Sequence, residues 1–328
     1  MSQLQKALEE YLTLRRALGF KLSHEDPALH KFVSFMDQAE APVITTKLAL
    51  QWAQQPVAVQ PAQWANRLGM VRRFAQYWSA TDPRTEVPPQ GLLPHRYRRR
   101  SPYIYNHNEI SQLIQAAKML PSTTGLRPYT HSTVLGLLVV TGMRISEITN
   151  LNREDVDLTQ GILTIRQTKF GKSRLVPIHP STQCVLQDYA SRRDRIYPKP
   201  KTPAFFVTEQ STRLMHWTVR VTFIRLSHQT GLRGPDDRYG PHLHDFRHRF
   251  AVQTLLHWYR TGVDVEQHLP ELATYLGHTL VADTYWYLSA VPELLQFLFP
   301  LSRQICHLKT IIRLAIHTNI LLYNVYTH

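Results

Sequence analysis

His278 is followed nine residues later by a tyrosine, in His278-Thr-Leu-Val-Ala-Asp-Thr-Tyr-Trp-Tyr287, and His244-Asp-Phe-Arg247 lies one segment upstream. A phenol attacks carboxyl carbon poorly, yet it forms a covalent ester with phosphorus and needs no metal where cations surround the phosphate. Cations of that kind are at hand. Arg144 stands in Thr141-Gly-Met-Arg-Ile-Ser-Glu147, and Lys169 in Thr168-Lys-Phe-Gly-Lys-Ser-Arg-Leu-Val-Pro177. His244 and Arg247 are three residues apart at a predicted helix start, so both side chains share one face. Two arginines converging on one phosphate hold its non-bridging oxygens by forked, charge-assisted bonds that strengthen as charge builds. Such a set suits the breaking of a DNA phosphodiester.

Two choices stay open on the residues alone. Lys169 and Lys172 both stand at a predicted hairpin turn, from which an ammonium can donate a proton to a leaving oxygen. Tyr285 and Tyr287 point to different sides of a helix, so only one of them faces the cations. Singly, each residue also has a plain reading: a surface arginine, a capping histidine, a packed tyrosine.

The supporting elements are mostly helical. Up to about residue 86, apolar faces recur at helical spacing: Leu4, Leu8, Tyr11, Leu12 and Leu14/Leu18; then Leu48, Leu50, Trp52 and Ala53; then Val71, Phe74, Ala75, Tyr77 and Trp78. Residues 87–102 hold three prolines before a basic run and a fourth after it, which marks an extended linker. Its Arg96, Arg98, Arg99 and Arg100 suit a strap along phosphates. From 103 to 298 the pattern is mixed. Strands at Gly161–Thr168 and Ser173–Ile178 form a hairpin about Lys169–Lys172. Helices follow Asn108, cover Thr133–Val140, and recur at Thr182–Arg195, Trp217–Gln229, Asp245–Arg260, Pro270–Leu276 and Ala282–Leu288. Gly277 reads as a helix C-cap projecting His278 outward. The segment 299–328 shows no clear period.

The formal net charge of the 328 residues is +14, divided as +4 through residue 98 and +10 beyond it. That surplus over the whole chain points to a polyanion, with Arg72, Arg73, Lys172 and Arg174 as further DNA-facing cations. The His242-Leu-His244-Asp-Phe-Arg-His248 cluster lacks cysteines and a carboxylate pair, so no metal centre is expected. Neither a P-loop nor GxGxxG occurs, so no nucleotide cofactor is expected. Cys184 and Cys306 form no CxxC pair, and no stretch reaches about 18 uncharged apolar residues. A cytoplasmic, DNA-associated protein with no membrane span follows.

The order of these motifs resembles the tyrosine recombinases, the phage integrase family. Thr-Gly-Met-Arg144-Ile-Ser-Glu resembles the family's first arginine box, and His244-Asp-Phe-Arg247-His its His-x-x-Arg box. Leu-Gly-His278 matches the family's second histidine. The resemblance selects Lys169, five residues before Arg174-Leu-Val-Pro, over Lys172. It likewise selects Tyr287, three residues after a threonine, over Tyr285. Arg100-Ser-Pro-Tyr-Ile-Tyr-Asn106 and Leu269-Pro-Glu-Leu-Ala-Thr-Tyr-Leu-Gly-His278 are similar to the transposon- and plasmid-associated branch. The fold it implies is mainly α with a small β-hairpin or sheet: a helical core-binding domain (1–86), the linker (87–102) and a mixed α/β catalytic domain (103–298).

The resemblance also implies a mechanism. Tyr287 attacks a scissile phosphate to give a 3′-phosphotyrosyl link and a free 5′-hydroxyl. Arg144, Arg247 and His278 stabilise the phosphorane, Lys169 protonates the leaving oxygen, and His244 supports phosphate or proton. No cofactor or metal is implied. The partners are double-stranded DNA and three further copies in a homo-tetramer on that DNA. The segment 299–328 does not resemble the family's docking tail. Two rival readings use the same residues: a non-catalytic DNA-binding protein on this scaffold, and a type IB topoisomerase-like relaxing enzyme.

Overall fold

Ser2 opens the first helix: its hydroxyl accepts from the Gln5 backbone N–H and satisfies one of the donors that a helix start leaves unpaired. The computed structural model describes residues 2–94, 102–166, 173–237, 240–278, 280–290 and 294. The chain divides into two compact units, Met1–Arg100 and Ser101–His328.

Among its described residues the first unit contains four helices, α1 (Gln3–Ala17), α2 (Glu25–Gln38), α3 (Thr46–Gln54) and α4 (Pro61–Trp78). Their apolar stripes close one core around Leu8, Leu12, Phe32, Met36, Trp52 and Phe74, with Phe32 edge-on to Trp52 at 5.3 Å between ring centroids. The sequence pattern shows three of these helices and misses α2. Pro27 occupies the first turn of α2, where a proline N–H would be unpaired anyway. Leu14 and Leu18 belong to no buried face. Leu14 lies past the edge of the α1 stripe, Leu18 is the C-cap, and both are exposed.

The second unit is mainly helical around a small sheet. Asn106 and Glu109 form a reciprocal capping box at the start of α5 (His107–Lys118), one residue ahead of the predicted start. After α6 (Leu126–Thr141) and α7 (Ile145–Asn150) come β1 (Val156–Asp157), β2 (Ile162–Ile165) and β3 (Arg174–Pro177). The three strands are antiparallel in the order β1-β2-β3, with Leu163 opposite Val176 and Ile165 opposite Arg174. The hairpin is therefore present, with shorter strands than the pattern suggests and an added edge strand, β1. Its predicted turn lies outside the described residues.

Among the unit's described residues, five further helices follow: α8 (Pro180–Ile196), α9 (His216–Gln229), α10 (Asp245–Thr261), α11 (Val265–Leu276) and α12 (Ala282–Ala290). One core gathers Leu135, Leu138, Leu163, Val176, Tyr189, Phe206, Phe223 and Phe246. A second packs α10, α11 and α12 together through Leu255, Leu269, Leu276 and Tyr287.

Two expectations test this packing. Gly142 ends α6 at φ +60°, and a Cβ there would lie 2.7 Å from the Phe250 ring. Gly142→Ala is expected to lower stability by about 1–3 kcal/mol, read as a fall in Tm. His131 is buried in α6; burial, with Arg127 and Arg225 adding to it, pushes its imidazole down to about 4. The unfolded chain then binds a proton that the folded chain refuses. Stability is full above the ordinary value near 6.5 and falls as pH drops toward 4, by about 1.4 kcal/mol per pH unit for this one group. Thermal unfolding at pH 7.5 and pH 5 should show the loss, and His131→Gln should shrink it.

Candidate active site

The last turn of α11 is where the cations meet. Its C-terminal carbonyls have no partner within the helix and carry the negative end of the helix dipole. Arg174 Nε donates to the Tyr275 carbonyl at 2.8 Å, Arg247 Nη2 to the Leu276 carbonyl at 2.6 Å, and Arg144 Nη2 to the Gly277 carbonyl at 3.3 Å. Three successive carbonyls thus receive three guanidiniums from β3, from α10 and from the residue capping α7. Arg247 Nη1 also donates to the Gly142 carbonyl, at 3.0 Å.

Glu147 supplies the countercharge. Its Oε1 accepts from Arg144 Nη1 at 2.8 Å and from Arg174 Nη1 at 3.1 Å; its Oε2 accepts from the Arg144 backbone N–H at 2.9 Å and from Arg174 Nη2 at 2.8 Å. Burial raises this carboxyl's affinity for a proton, but the bonds from Arg174 and Arg144 outweigh burial and hold it below the usual range. One carboxylate faces three guanidiniums, so the cluster keeps an excess of positive charge and suits an anion. Burial and the field of Arg144 push the Arg247 guanidinium down to about 10, which leaves it charged at neutral pH. Arg247 is 1% exposed and the Arg144 side chain 29%, so Arg144 is the more open of the two.

Two imidazoles border the arginines. His244 holds the N-cap position of α10 without a side-chain cap bond, and the residue is exposed. The packed protein around it, then the fields of Arg247 and Arg144, push it down to about 4. Gly277 turns the chain at φ +69° and delivers His278 beside the cluster, as the C-cap reading anticipates. Burial and the fields of Arg247 and Arg144 push His278 down to about 3. Both rings are therefore neutral at pH 7. His278 Nδ1 lies 2.7 Å from the Thr284 hydroxyl, which ties the loop after α11 to the first turn of α12.

That tie places the tyrosine. Tyr287, one turn beyond Thr284, lies nearly parallel to the His278 ring at 6.1 Å between centroids, and its ring is 5.5 Å from that of His248. It lies within electrostatic reach of Arg247, where it partly opposes the burial that lowers that guanidinium's pKa. Tyr287 is 3% exposed, whereas Tyr285 is 44% exposed on the opposite face of α12. The structure thus brings Arg144, His244, Arg247, His278 and Tyr287 to one place. Lys169, selected with them, lies outside the described residues, as do Lys172, Arg96, Arg98, Arg99 and Arg100.

The remaining DNA-facing expectations fare differently. The Arg174 side chain is 9% exposed, and Glu147 and Tyr275 accept from its nitrogens. Arg72 Nε and Nη2 donate to the Pro88 and Pro89 carbonyls at 2.6 and 2.7 Å, and Arg73 pairs with Glu25. Glu147 is the member of this cluster that motif spacing leaves unassigned, although a glutamate three residues after Arg144 is a capping signature.

A mainly helical unit with a small sheet and an arginine–histidine–tyrosine cluster defines a class of proteins that act on phosphodiesters through a tyrosine. The chain belongs to the phage integrase family, whose pattern matches residues 104–293. It is 48% identical over 300 residues to the "Putative integrase/recombinase y4rB" of Sinorhizobium fredii, covering 90% of this chain and 96% of that protein. It is 30% identical over 221 residues to tyrosine recombinase XerC of Chlamydia trachomatis serovar D, covering 67% of this chain and 64% of the relative. Among solved structures, the fold is shared with the Tn1549 transposon integrase in complex with a circular intermediate DNA. That likeness has a TM-score of 0.60 at 14% identity, over 86% of this chain and 94% of the other.

Removing the countercharge tests the cluster. Glu147→Ala leaves two guanidiniums without their carboxylate and is expected to cost about 3–5 kcal/mol in urea unfolding. Glu147→Gln, which keeps the shape, should cost less.

Proposed function

We propose that the chain catalyses site-specific cleavage and rejoining of double-stranded DNA through a phosphotyrosine. The observation that carries this reading is Tyr287 beside His278 and Arg247 in a cluster with excess positive charge. The Tyr287 oxygen attacks the scissile phosphorus, a P–O bond forms, and the bond to the 5′ oxygen breaks. The products are a 3′-phosphotyrosyl link and a 5′-hydroxyl. Arg144 and Arg247 meet the non-bridging oxygens, where charge grows in the pentavalent transition state. A neutral imidazole both accepts and donates, so His278 and His244 suit the tyrosine proton and one phosphate oxygen. Lys169 donates the proton that the 5′ oxygen takes.

The ester conserves the energy of the broken bond, so a 5′-hydroxyl from another strand reverses the step. Exchange between two duplexes breaks four strands, and each copy brings one nucleophile. A homo-tetramer on DNA follows, with a cytoplasmic setting and the movement of a mobile element as its biological use. The arginines of the 87–102 linker add phosphate contacts that position the protein without reading sequence.

Nicked suicide duplexes carrying the sequences that flank the gene provide the test. The wild-type chain should give a covalent adduct on a denaturing gel, and Tyr285→Phe should retain it. Tyr287→Phe should lower adduct formation by at least about 10³-fold. An adduct that survives in Tyr287→Phe would overturn the assignment of the nucleophile.

A further inference from the structure

Arg174 stands outside the set that meets the phosphate, yet it is bonded to two of the elements that carry that set. From β3, where it pairs in register with Ile165, it reaches the Glu147 carboxylate with two nitrogens and the Tyr275 carbonyl with the third. Glycine at position 277 makes room for it: a Cβ there would lie 2.7 Å from Arg174 Nη1. The residue that delivers His278 is thus shaped around the Arg174 guanidinium as well as around its own positive φ.

We propose that Arg174 is a positioning residue for the cleavage centre, locking the Glu147 carboxylate that aims Arg144 and the end of α11 from which His278 projects. This rests on the functional reading above. Each Glu147 oxygen is shared between Arg144 and Arg174, so neither arginine holds the carboxylate alone. Without Arg174, Glu147 is free to turn both oxygens onto the Arg144 guanidinium and draw it away from the phosphate. The Tyr275 carbonyl loses its partner in the same step, and the segment leading to His278 loosens. Charge acts in the same direction. With Arg174 present, three guanidiniums face one carboxylate; without it, two do, and the field left for an anion is weaker.

A lysine does not replace this residue. The ammonium is a compact point charge and lacks the planar fork that spans both oxygens and a carbonyl. The competing role, a phosphate contact on DNA, makes different demands. A phosphate contact sets affinity and salt dependence, whereas a positioning residue sets the rate once DNA is bound.

The experiment uses the full chain, its Arg174→Lys and Arg174→Met variants, and the Glu147→Gln/Arg174→Met double variant. The double variant removes the buried charges together, so it folds if Arg174→Met alone does not. Single-turnover cleavage of the nicked suicide duplex is followed at saturating protein. The Kd for the same duplex is measured across salt concentrations, and circular dichroism and Tm report folding. Arg174→Lys is expected to cleave about 10–100-fold more slowly at saturation, with Kd within about 3-fold of wild type and an unchanged salt slope. The double variant is expected to fold, to bind similarly and to cleave at least as slowly. A folded variant that cleaves within about 2-fold of wild type overturns the proposal. So does a weaker Kd with a salt slope reduced by about 1, which would make Arg174 a phosphate contact. A wild-type chain that forms no adduct overturns the functional reading itself, and this inference with it.

Discussion

Three guanidiniums cannot share one pocket without an answer to their mutual repulsion, and the second unit is arranged around that answer. The carbonyls of Tyr275, Leu276 and Gly277 each take one arginine, and Glu147 takes two of the three again. Helix-end carbonyls are the acceptors a fold must satisfy in any case. Here the unpaired end of one helix and the unpaired charge of three side chains satisfy each other. The compensation is incomplete, since one full negative charge and a partial helix dipole stand against three positive charges. A phosphate is the natural remainder.

This junction fixes which elements must meet. Arg144 comes from the cap of α7, Arg174 from β3, Arg247 from the first turn of α10, and the acceptors from α11. Each is held by its own packing, and the shared core of α10, α11 and α12 keeps the helices in register. Gly142 and Gly277 end α6 and α11 in the left-handed region, and each gives up a carbonyl to one of the arginines. The Tyr287 ring is itself buried in that shared core. It hangs on a short helix tied back through the bond between His278 and Thr284.

The sequence revealed this site unevenly, for physical reasons. His244 with Arg247, and Gly277 with His278, were legible because helix period and positive-φ glycine chemistry are local rules. The hairpin was legible because its strands alternate, although β1 is two residues long and leaves no pattern to find. Glu147 stood in plain view beside Arg144 without a role, because its second partner, Arg174, is distant in sequence and adjacent only in the fold. Arg174 itself looked like a groove-facing cation for the same reason. Charge in a sequence shows that a cation exists and not whether its donors are already taken. Tyr287 and Tyr285 could not be separated by residue type, and they separate at once by burial.

Burial, reinforced by the same crowding of cations, accounts for the state of the histidines. An imidazolium beside Arg144 and Arg247 would add a further positive charge to a region already short of negative charge. His244 and His278 therefore stay neutral well below the usual titration range. A neutral ring with one nitrogen fixed is more useful here than a charged one. His278 Nδ1 is engaged by Thr284, so its Nε2 remains for the exchange of a proton or for a hydrogen bond. Burial and the arginines together thus keep the neighbouring imidazoles neutral, in a cluster whose excess positive charge suits an anion.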